Sequence, residues 1–246
     1  MPVAAERLRA VGFDLDGTLV DTMPDLAAAV NLMLRMLGAR ELPEQRVRAL
    51  VGRGVEPLVS SALTESLGDT PAHAAQSEAA LGLFRRLYSQ ALFRRSRLYP
   101  GVELALGRLA HSGLQLCCVT NKESTLAVPL LEQAGLRTYL AFTLSADRLE
   151  DRKPSPRLLL AACARLAIRP AEMMYVGDSI VDVQAARAAG CPITVVTYGY
   201  GAPTALREAA PDECIDSLTD LAPLRDGPSD RTECAAIPRS EPSAAC

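Results

Sequence analysis

The stretch VGFDLDGTLVDT, residues 11–22, places two aspartates one residue apart at the end of an apolar run. The apolar residues before Asp14 predict a buried strand, and Asp16 follows it after a single leucine. Two carboxylates this close repel each other and do not both stay ionised unless a cation or a shared proton compensates. Gly17 permits a turn that brings both carboxylates to one site. The stretch therefore predicts a strand whose C-terminal end carries a functional site.

Beyond residue 98, short apolar runs alternate with helical patterns, which is typical of a parallel sheet joined by crossover helices. Strong strand predictions fall on VGFD (11–14), LQLCCVT (114–120), MMYVGD (173–178) and PITVVTYG (192–199), and weaker ones on AFTLSA (141–146) and ECID (213–216). The helices predicted between them end at glycines, as helices commonly do. The expected fold class is α/β, with a Rossmann-like parallel sheet as its core and an inserted α-helical domain.

That inserted domain is predicted from residues 22–98, which carry helical periodicity and almost no strand signal. Pro24 and the turn at 99–101 bracket this segment, so we expect a helical cap domain. Residues 1–21 and 99–225 then form the catalytic core domain. The tail 226–246 is rich in Pro, Ser and charge, which predicts disorder.

The composition indicates a soluble globular protein, with 49% apolar and 22% charged residues and a formal net charge of -3. This charge provides no basic field for nucleic acid and no polybasic membrane anchor, so neither partner is expected. Seven cysteines without CxxC spacing favour buried thiols over a zinc site. Together with the absence of a signal-peptide pattern, they predict a cytoplasmic location.

Further reactive side chains follow other predicted strands. Ligands of open parallel sheets bind beyond the carboxyl ends of the strands, so polar residues there are functional candidates. These candidates are Asp14, Asp16, Thr120, Asn121, Lys153, Asp178 and Asp182. Mg²⁺ prefers oxygen ligands and shares its shell with water and substrate phosphate, so carboxylates from separate loops suit it. A carboxylate can also attack phosphorus while a second acid transfers the proton.

Four short motifs occur in order along the chain: DLDGT, Thr-Asn after a strand, Lys-Pro before a helix, and GDSxxD. With this order, residues 10 to about 222 resemble the haloacid dehalogenase superfamily. The segments VGRGVEPLV and VTYGYG resemble, more closely, its phosphoglycolate phosphatases, which carry a helical cap. The resemblance implies a Mg²⁺-dependent phosphomonoester hydrolase that forms an aspartyl-phosphate and converts 2-phosphoglycolate to glycolate and phosphate.

The resemblance also implies a role for each motif residue. It makes Asp14 the nucleophile and Asp16 the general acid/base. The implied metal ligands are Asp14, Asp16 through its backbone carbonyl, Asp178, and Asp182 as a further ligand or as a partner of the ligands. Thr120 would bind phosphoryl oxygens and Lys153 would neutralise the transferred charge. Asn121 is likewise implied to bind phosphoryl oxygens through its backbone N–H. The further candidates for substrate binding are Gly17, Thr18 and Arg53.

Arg53 is chosen because it lies between two glycines in the predicted cap, and a guanidinium can bind a carboxylate through two parallel hydrogen bonds. Other interpretations stay open at this point. The substrate could be another small phosphorylated acid or a sugar phosphate, and the enzyme could be a phosphohexomutase. A non-enzymatic phosphate-binding module is the remaining alternative. Asp182 could simply cap a helix, and Lys153 could be a solvated surface charge.

Overall fold

A computed structural model of the chain describes residues 8–68 and 71–221, and for residues 71–76 it describes the backbone alone. The predicted disordered tail, 226–246, lies outside the described residues. None of the helices within the described ranges is long and apolar enough to cross a membrane.

The centre of the fold is a six-stranded parallel sheet. Its strands, in chain order, are β1 (Ala10–Phe13), β4 (Gln115–Thr120), β5 (Phe142–Ser145), β6 (Met173–Gly177), β7 (Ile193–Val196) and β8 (Glu213–Ile215). They lie in the spatial order β5-β4-β1-β6-β7-β8, and every neighbouring pair is parallel. The predicted α/β class is confirmed, including the two strands that the sequence indicated only weakly.

Helices cover both faces of this sheet. The crossover helices are α5 (Val102–His111), α6 (Ser124–Gln133), α7 (Arg157–Leu166), α8 (Ile180–Ala189) and the short α9 (Pro203–Glu208). Apolar residues of α5 and α6 join the core on one face, and those of α7 and α8 join the core on the other. Burial on both faces explains why the strands read as continuous apolar runs.

The adjacent cysteines of β4 show the two faces directly. Cys118 packs in the core beside α5 and α6, whereas Cys117 packs in the opposite core, as the alternation of strand side chains requires. Cys163 and Cys191 are also buried free thiols. Cys214, in contrast, is disulfide-bonded, so the expectation of free thiols is wrong at that position.

Four helices follow the first strand segment: α1 (Met23–Met36), α2 (Glu44–Leu50), α3 (Val55–Leu67) and α4 (Pro71–Ser89). We call this segment, residues 23–89, the helical insertion. Its helices pack on one another around buried side chains that include Met33, Leu63 and Phe84. The insertion continues the core on the α5–α6 side of the sheet.

The chain enters and leaves the insertion at adjacent points. The two-residue strands β2 (Val20–Asp21) and β3 (Arg97–Leu98) form an antiparallel ribbon there, which the helical periodicity of this segment did not indicate. Buried Asp25, in the first turn of α1, accepts hydrogen bonds from the backbone N–H groups of Arg95 and Ser96 and from the Ser96 hydroxyl. These bonds offset the cost of burying the carboxylate and hold the two crossings together.

The sheet order brings the reactive strand ends together. β1 lies between β4 and β6, and the chain changes direction of travel across the sheet at β1, where ligands of open α/β sheets bind. Asp14 follows β1, Thr120 ends β4 and Asp178 follows β6. Three neighbouring strands therefore deliver hydroxyl and carboxylate groups to one edge of the sheet.

Candidate active site

A tight turn after β1 presents both aspartates of the opening stretch to one cavity. The carbonyl oxygen of buried Leu15 accepts the N–H groups of Thr18, Leu19 and Val20 at 3.0–3.3 Å. Gly17 adopts a positive φ of 87°, which favours glycine. The Leu15 side chain points into the core, and Asp14 and Asp16 both line the cavity.

This cavity lies between the sheet edge and the helical insertion. The sheet side contributes mostly polar residues and the insertion contributes mostly apolar ones. The sheet side consists of Asp14, Asp16, Thr120, Asn121, Lys122, Asp178, Ser179, Tyr200 and Gly201. The insertion side consists of Leu26, Val51, Gly52, Gly54, Val55 and Leu58. A small molecule held here would contact polar groups of the sheet edge on one side and apolar residues of the helical insertion on the other.

Three carboxylates beneath the cavity are close enough to hold a cation. Asp14, Asp178 and Asp182 each offer an oxygen, and these oxygens all lie within 4.8 Å of one another. Burial raises the pKa of Asp14 to about 6, although the nearby Lys153 opposes the shift. Burial, together with the charges of Asp182 and Asp14, also raises the pKa of Asp178. Such mutual repulsion is what a divalent cation would relieve, so the donor set fits a hard metal ion.

Lys153 is a buried cation in the centre of this acidic group. Its ammonium lies 2.9 Å from Asp14 Oδ1 and 2.6 Å from Asp182 Oδ1, and it donates to the Tyr175 hydroxyl at 2.8 Å. Burial alone would lower the pKa of Lys153, but the carboxylates of Asp14 and Asp182 outweigh it and raise the pKa. The residue is 2% exposed, which excludes the interpretation as a solvated surface charge.

Asp182 has partners on both of its carboxylate oxygens. While Oδ1 binds Lys153, Oδ2 accepts the Ser179 N–H at 3.0 Å and the Ser179 hydroxyl, which forms a capping box at the start of α8. Asp182 therefore caps the helix and also holds Lys153 in place. Both interpretations of this residue, as a helix cap and as a partner of the reactive groups, describe part of what it does.

The Asp178 carboxylate is held by one backbone N–H group and one side-chain hydroxyl. Its Oδ2 accepts the Tyr200 N–H at 2.6 Å, and its Oδ1 accepts the Thr18 hydroxyl at 3.3 Å. A Cβ atom built on Gly199 would lie 2.2 Å from the Asp178 Cβ, and one on Gly201 would lie 2.0 Å from the Asp178 carbonyl oxygen. The glycines of VTYGYG thus let the backbone approach this carboxylate closely.

The predicted phosphate-binding residues occupy two kinds of position. Thr120 and Asn121 line the cavity. The Asn121 side chain accepts the Lys153 N–H at 2.7 Å and donates to the carbonyl oxygens of Lys153 and Gly52, at 3.1 and 2.9 Å. The Asn121 side chain therefore joins the Lys153 segment to the end of β4 and to the insertion.

Three predicted substrate-binding residues lie away from the cavity surface. The Gly17 backbone packs closely against Asp178, and the Thr18 hydroxyl donates to its carboxylate. Neither residue is among those that line the cavity. Arg53 is exposed, although Gly52 and Gly54 on either side of it line the cavity. The contact between Arg53 and a substrate carboxylate stays a prediction.

The sequence assigned no role to Lys122 or Tyr200, although both lie in or beside the motifs. Lys122 is 4% exposed and its ammonium binds both carboxylate oxygens of Asp16, at 2.9 and 3.0 Å. The Tyr200 hydroxyl accepts the N–H groups of Thr22 and Met23, at 2.7 and 2.9 Å, where the chain enters the insertion. The available signals were that Lys122 follows the Thr-Asn motif and that Tyr200 lies within VTYGYG, but the partners of both residues are distant in sequence.

Similarity to known proteins identifies the family of this chain. Residues 8–190 match a family model described as a haloacid dehalogenase-like hydrolase. A phosphoglycolate phosphatase of Nitrosospira multiformis is 42% identical over 217 residues, covering 88% of this chain and 95% of that protein. A plasmid-encoded phosphoglycolate phosphatase of Cupriavidus necator is 43% identical over 217 residues, covering 87% of this chain and 92% of that protein.

A solved structure shows the same fold. The crystal structure of a predicted phosphoglycolate phosphatase from Haemophilus somnus superposes with a TM-score of 0.82 at 30% sequence identity. The match covers 87% of this chain and 96% of that one. The predicted family is confirmed: this chain belongs to the haloacid dehalogenase-like hydrolases.

Proposed function

We propose that this protein is a Mg²⁺-dependent phosphatase that converts 2-phosphoglycolate to glycolate and phosphate through an aspartyl-phosphate on Asp14. The observation that carries this proposal is the pairing of buried Asp14 with the Lys153 ammonium, 2.9 Å away, in a cavity that Asp16 also lines. Asp14 can act as the nucleophile and Asp16 as the acid/base, and the Lys153 ammonium offsets charge beside Asp14.

The proposed reaction has two steps. In the first, an Asp14 oxygen attacks phosphorus, the bond from phosphorus to the glycolate oxygen breaks, and Asp16 gives its proton to the departing alkoxide. In the second, Asp16 takes a proton from water, the water oxygen attacks phosphorus, and the Asp14 carboxylate is regenerated as phosphate leaves. The same group acts first as an acid and then as a base.

The residues around Asp14 supply positioning and charge stabilisation, which phosphoryl transfer requires. Lys153 would offset the charge on the transferred phosphoryl oxygens, and Thr120 and the Asn121 N–H would bind those oxygens. Asp182 keeps Lys153 in place, because its Oδ1 lies 2.6 Å from the ammonium. Fixed donors of this kind need no reorganisation at the moment of reaction.

Asp14, Asp178 and the backbone carbonyl of Asp16 would hold the metal ion, and we propose Mg²⁺. Each Asp178 oxygen accepts a single hydrogen bond among the described residues, so lone pairs remain for a cation. Both Asp182 oxygens are engaged by Lys153 and by the start of α8, which favours Asp182 as a partner of Lys153. When bound, Mg²⁺ would supply charge neutralisation for the phosphoryl group.

The size of the cavity favours a small substrate. Its volume is about 80 Å³, below the volumes that drug-sized ligands occupy. We propose that the helical insertion acts as a cap domain over this cavity, excluding water and carrying the contacts that select the substrate. A two-carbon phosphorylated acid fits such a space, and the names of the relatives at about 40% identity support this choice.

A phosphate-release assay tests the proposal. We expect the purified protein to release phosphate from 2-phosphoglycolate with Mg²⁺, with kcat/KM at least about tenfold above that for a hexose phosphate. EDTA should stop turnover and Mg²⁺ should restore it. The Asp14→Asn variant, purified in the same way, controls for contaminating phosphatases.

Each failure of this assay has its own meaning. A higher kcat/KM for the hexose phosphate would contradict the substrate, and full turnover in metal-free buffer would contradict the metal. Phosphate transfer between hexose positions without release would instead identify a phosphohexomutase. If no substrate loses phosphate, the hydrolase proposal itself is wrong.

A further inference from the structure

Lys122 occupies a position that the proposed reaction does not use. It follows Thr120 and Asn121 in the loop after β4, and its side chain is 3% exposed. The Asp16 carboxylate, 2.9 Å from the ammonium, compensates for the burial of its charge. Lys122 is therefore a buried cation, distinct from Lys153.

All three N–H donors of the Lys122 ammonium are engaged in hydrogen bonds. An ammonium has three N–H donors, and Lys122 contacts three acceptors: the two carboxylate oxygens of Asp16, at 2.9 and 3.0 Å, and the Tyr88 hydroxyl oxygen, at 2.9 Å. The ammonium also lies 4.7 Å from the centre of the Tyr88 ring. With its donors engaged in this way, Lys122 has none left for a substrate, so it acts on the reaction through Asp16.

The two partners of Lys122 come from different parts of the fold. Asp16 belongs to the turn after β1, whereas Tyr88 is a fully buried residue of α4 in the helical insertion. Asp16 has a second restraint, because the Thr22 hydroxyl donates to its Oδ1 at 2.6 Å where the chain enters the insertion. The orientation of Asp16 thus depends on Tyr88 of the insertion through Lys122, and on Thr22 just before the insertion.

We propose that Lys122 is a positioning residue that links the helical insertion to the acid/base Asp16, orienting that carboxylate when Tyr88 completes the coordination of the ammonium. This inference rests on the proposed function, because it assigns Asp16 to proton transfer. It predicts that proton donation to the leaving group is productive only while α4 lies against the sheet edge. Closure of the insertion would then orient the Asp16 carboxyl group for proton transfer and would also exclude water.

The leaving group separates this role from a purely structural one. Glycolate leaves as a basic alkoxide that needs a proton, whereas p-nitrophenolate leaves without one. The quantity to measure is the ratio of kcat/KM for 2-phosphoglycolate to kcat/KM for p-nitrophenyl phosphate, because kcat/KM reports the steps up to phosphorylation of Asp14. A variant that only weakens the fold or lowers the active fraction reduces both constants alike and leaves the ratio unchanged.

We expect Lys122→Met to lower this ratio about tenfold or more, since general acid catalysis contributes roughly a hundredfold or more and depends on orientation. Tyr88→Phe, which keeps the ring and removes the hydroxyl, should lower the ratio in the same direction by a smaller factor. The matched control is Arg46→Ala. Arg46 joins α2 to Glu65 of α3 at 2.8 Å, inside the insertion and away from the contact of α4 with the sheet edge. Its removal should leave the ratio at the wild-type value.

A second comparison uses Asp16→Asn as the background. If Lys122 acts through Asp16, adding Lys122→Met to that variant should change kcat/KM for 2-phosphoglycolate by less than about twofold, because residues that act as a unit are not additive. A further loss as large as that in the wild-type background would overturn the inference. Thermal melting of each variant shows which of them are folded.

The remaining outcomes are also decisive. An unchanged ratio in folded Lys122→Met would overturn the proposal, and so would a ratio that falls equally in Arg46→Ala. If Lys122→Met does not fold, Tyr88→Phe alone tests the proposal. An unchanged ratio of the two kcat/KM values in Tyr88→Phe would then contradict the link between Asp16 and the insertion. If the wild-type protein hydrolyses neither substrate, the proposed function fails before the role of Lys122 is reached.

Discussion

Lys153 and Asp182 form a buried ion pair with 2.6 Å between the ammonium nitrogen and the carboxylate Oδ1, and the Asp182 side chain is fully buried. The same ammonium lies 2.9 Å from Asp14. Removing one partner of such a pair leaves an uncompensated charge in the interior. Asp182 therefore contributes to the site by holding the cation that faces the nucleophile.

The variant Asp182→Asn tests this division between holding Lys153 and binding the metal. The amide cannot neutralise the ammonium, so we expect kcat to fall at least about tenfold and stability to fall by roughly 1–3 kcal/mol. The Mg²⁺ concentration for half-maximal activity should change little. In the matched variant Asp178→Asn, that concentration should rise strongly. Equal metal defects in both variants would show that Asp182 binds the ion directly.

Gly199 provides a test of the close packing around Asp178. A Cβ atom there would lie 2.2 Å from the Asp178 Cβ, a distance that forces one of them to move. We expect Gly199→Ala to weaken Mg²⁺ activation about tenfold or more by displacing Asp178, since metal affinity depends on supporting contacts. Titration of activity with Mg²⁺ measures this.

Gly82→Ala is the control for that substitution. Gly82 lies in α4 with no atom within 4 Å of its added Cβ, so alanine should stabilise the helix by roughly 0.5–1 kcal/mol and leave Mg²⁺ activation unchanged. If Gly199→Ala behaves in the same way as Gly82→Ala, the glycine does not support Asp178.

Arg53→Ala tests the predicted contact with the substrate carboxylate. The residue is exposed on a loop whose glycines adopt positive φ, 113° at Gly52 and 100° at Gly54, so the loop geometry depends on glycine. If Arg53 binds the carboxylate, kcat/KM for 2-phosphoglycolate should fall about tenfold to a hundredfold relative to that for p-nitrophenyl phosphate. An unchanged ratio would remove Arg53 from the site.

Local sequence signals predicted the sheet and the strand ends well, because each signal depends on a few adjacent residues. Asp14 and Asp178 follow apolar runs of four or five residues that form β1 and β6. The alternation of Cys117 and Cys118 across the sheet follows from strand geometry alone. The positive φ of Gly17 likewise matches the turn that its neighbours require.

The contacts that orient these residues were not predictable, because they join distant segments. Lys122 binds Tyr88 and Asp16, which are 34 and 106 residues away in the chain. No periodicity or spacing carries that information, and only the docking of α4 on the sheet edge creates it. The ribbon of β2 and β3 was missed because strands of two residues leave no periodic pattern.

The central claim is that Asp14 attacks phosphorus while Asp16 transfers the proton. Asp14→Asn should abolish turnover and form no covalent phosphate, because an amide is a far poorer nucleophile than a carboxylate. Asp16→Asn keeps the nucleophile but lacks the base that activates water, so the phosphorylated enzyme should accumulate with an activated aryl phosphate.

The most direct test is intact-mass measurement after mixing each variant with p-nitrophenyl phosphate and quenching rapidly in acid. We predict one phosphate adduct on the Asp16→Asn variant, mapping to Asp14, and none on the Asp14→Asn variant. An adduct that survives the loss of Asp14 and maps to Asp16 would contradict the assignment of the two aspartates.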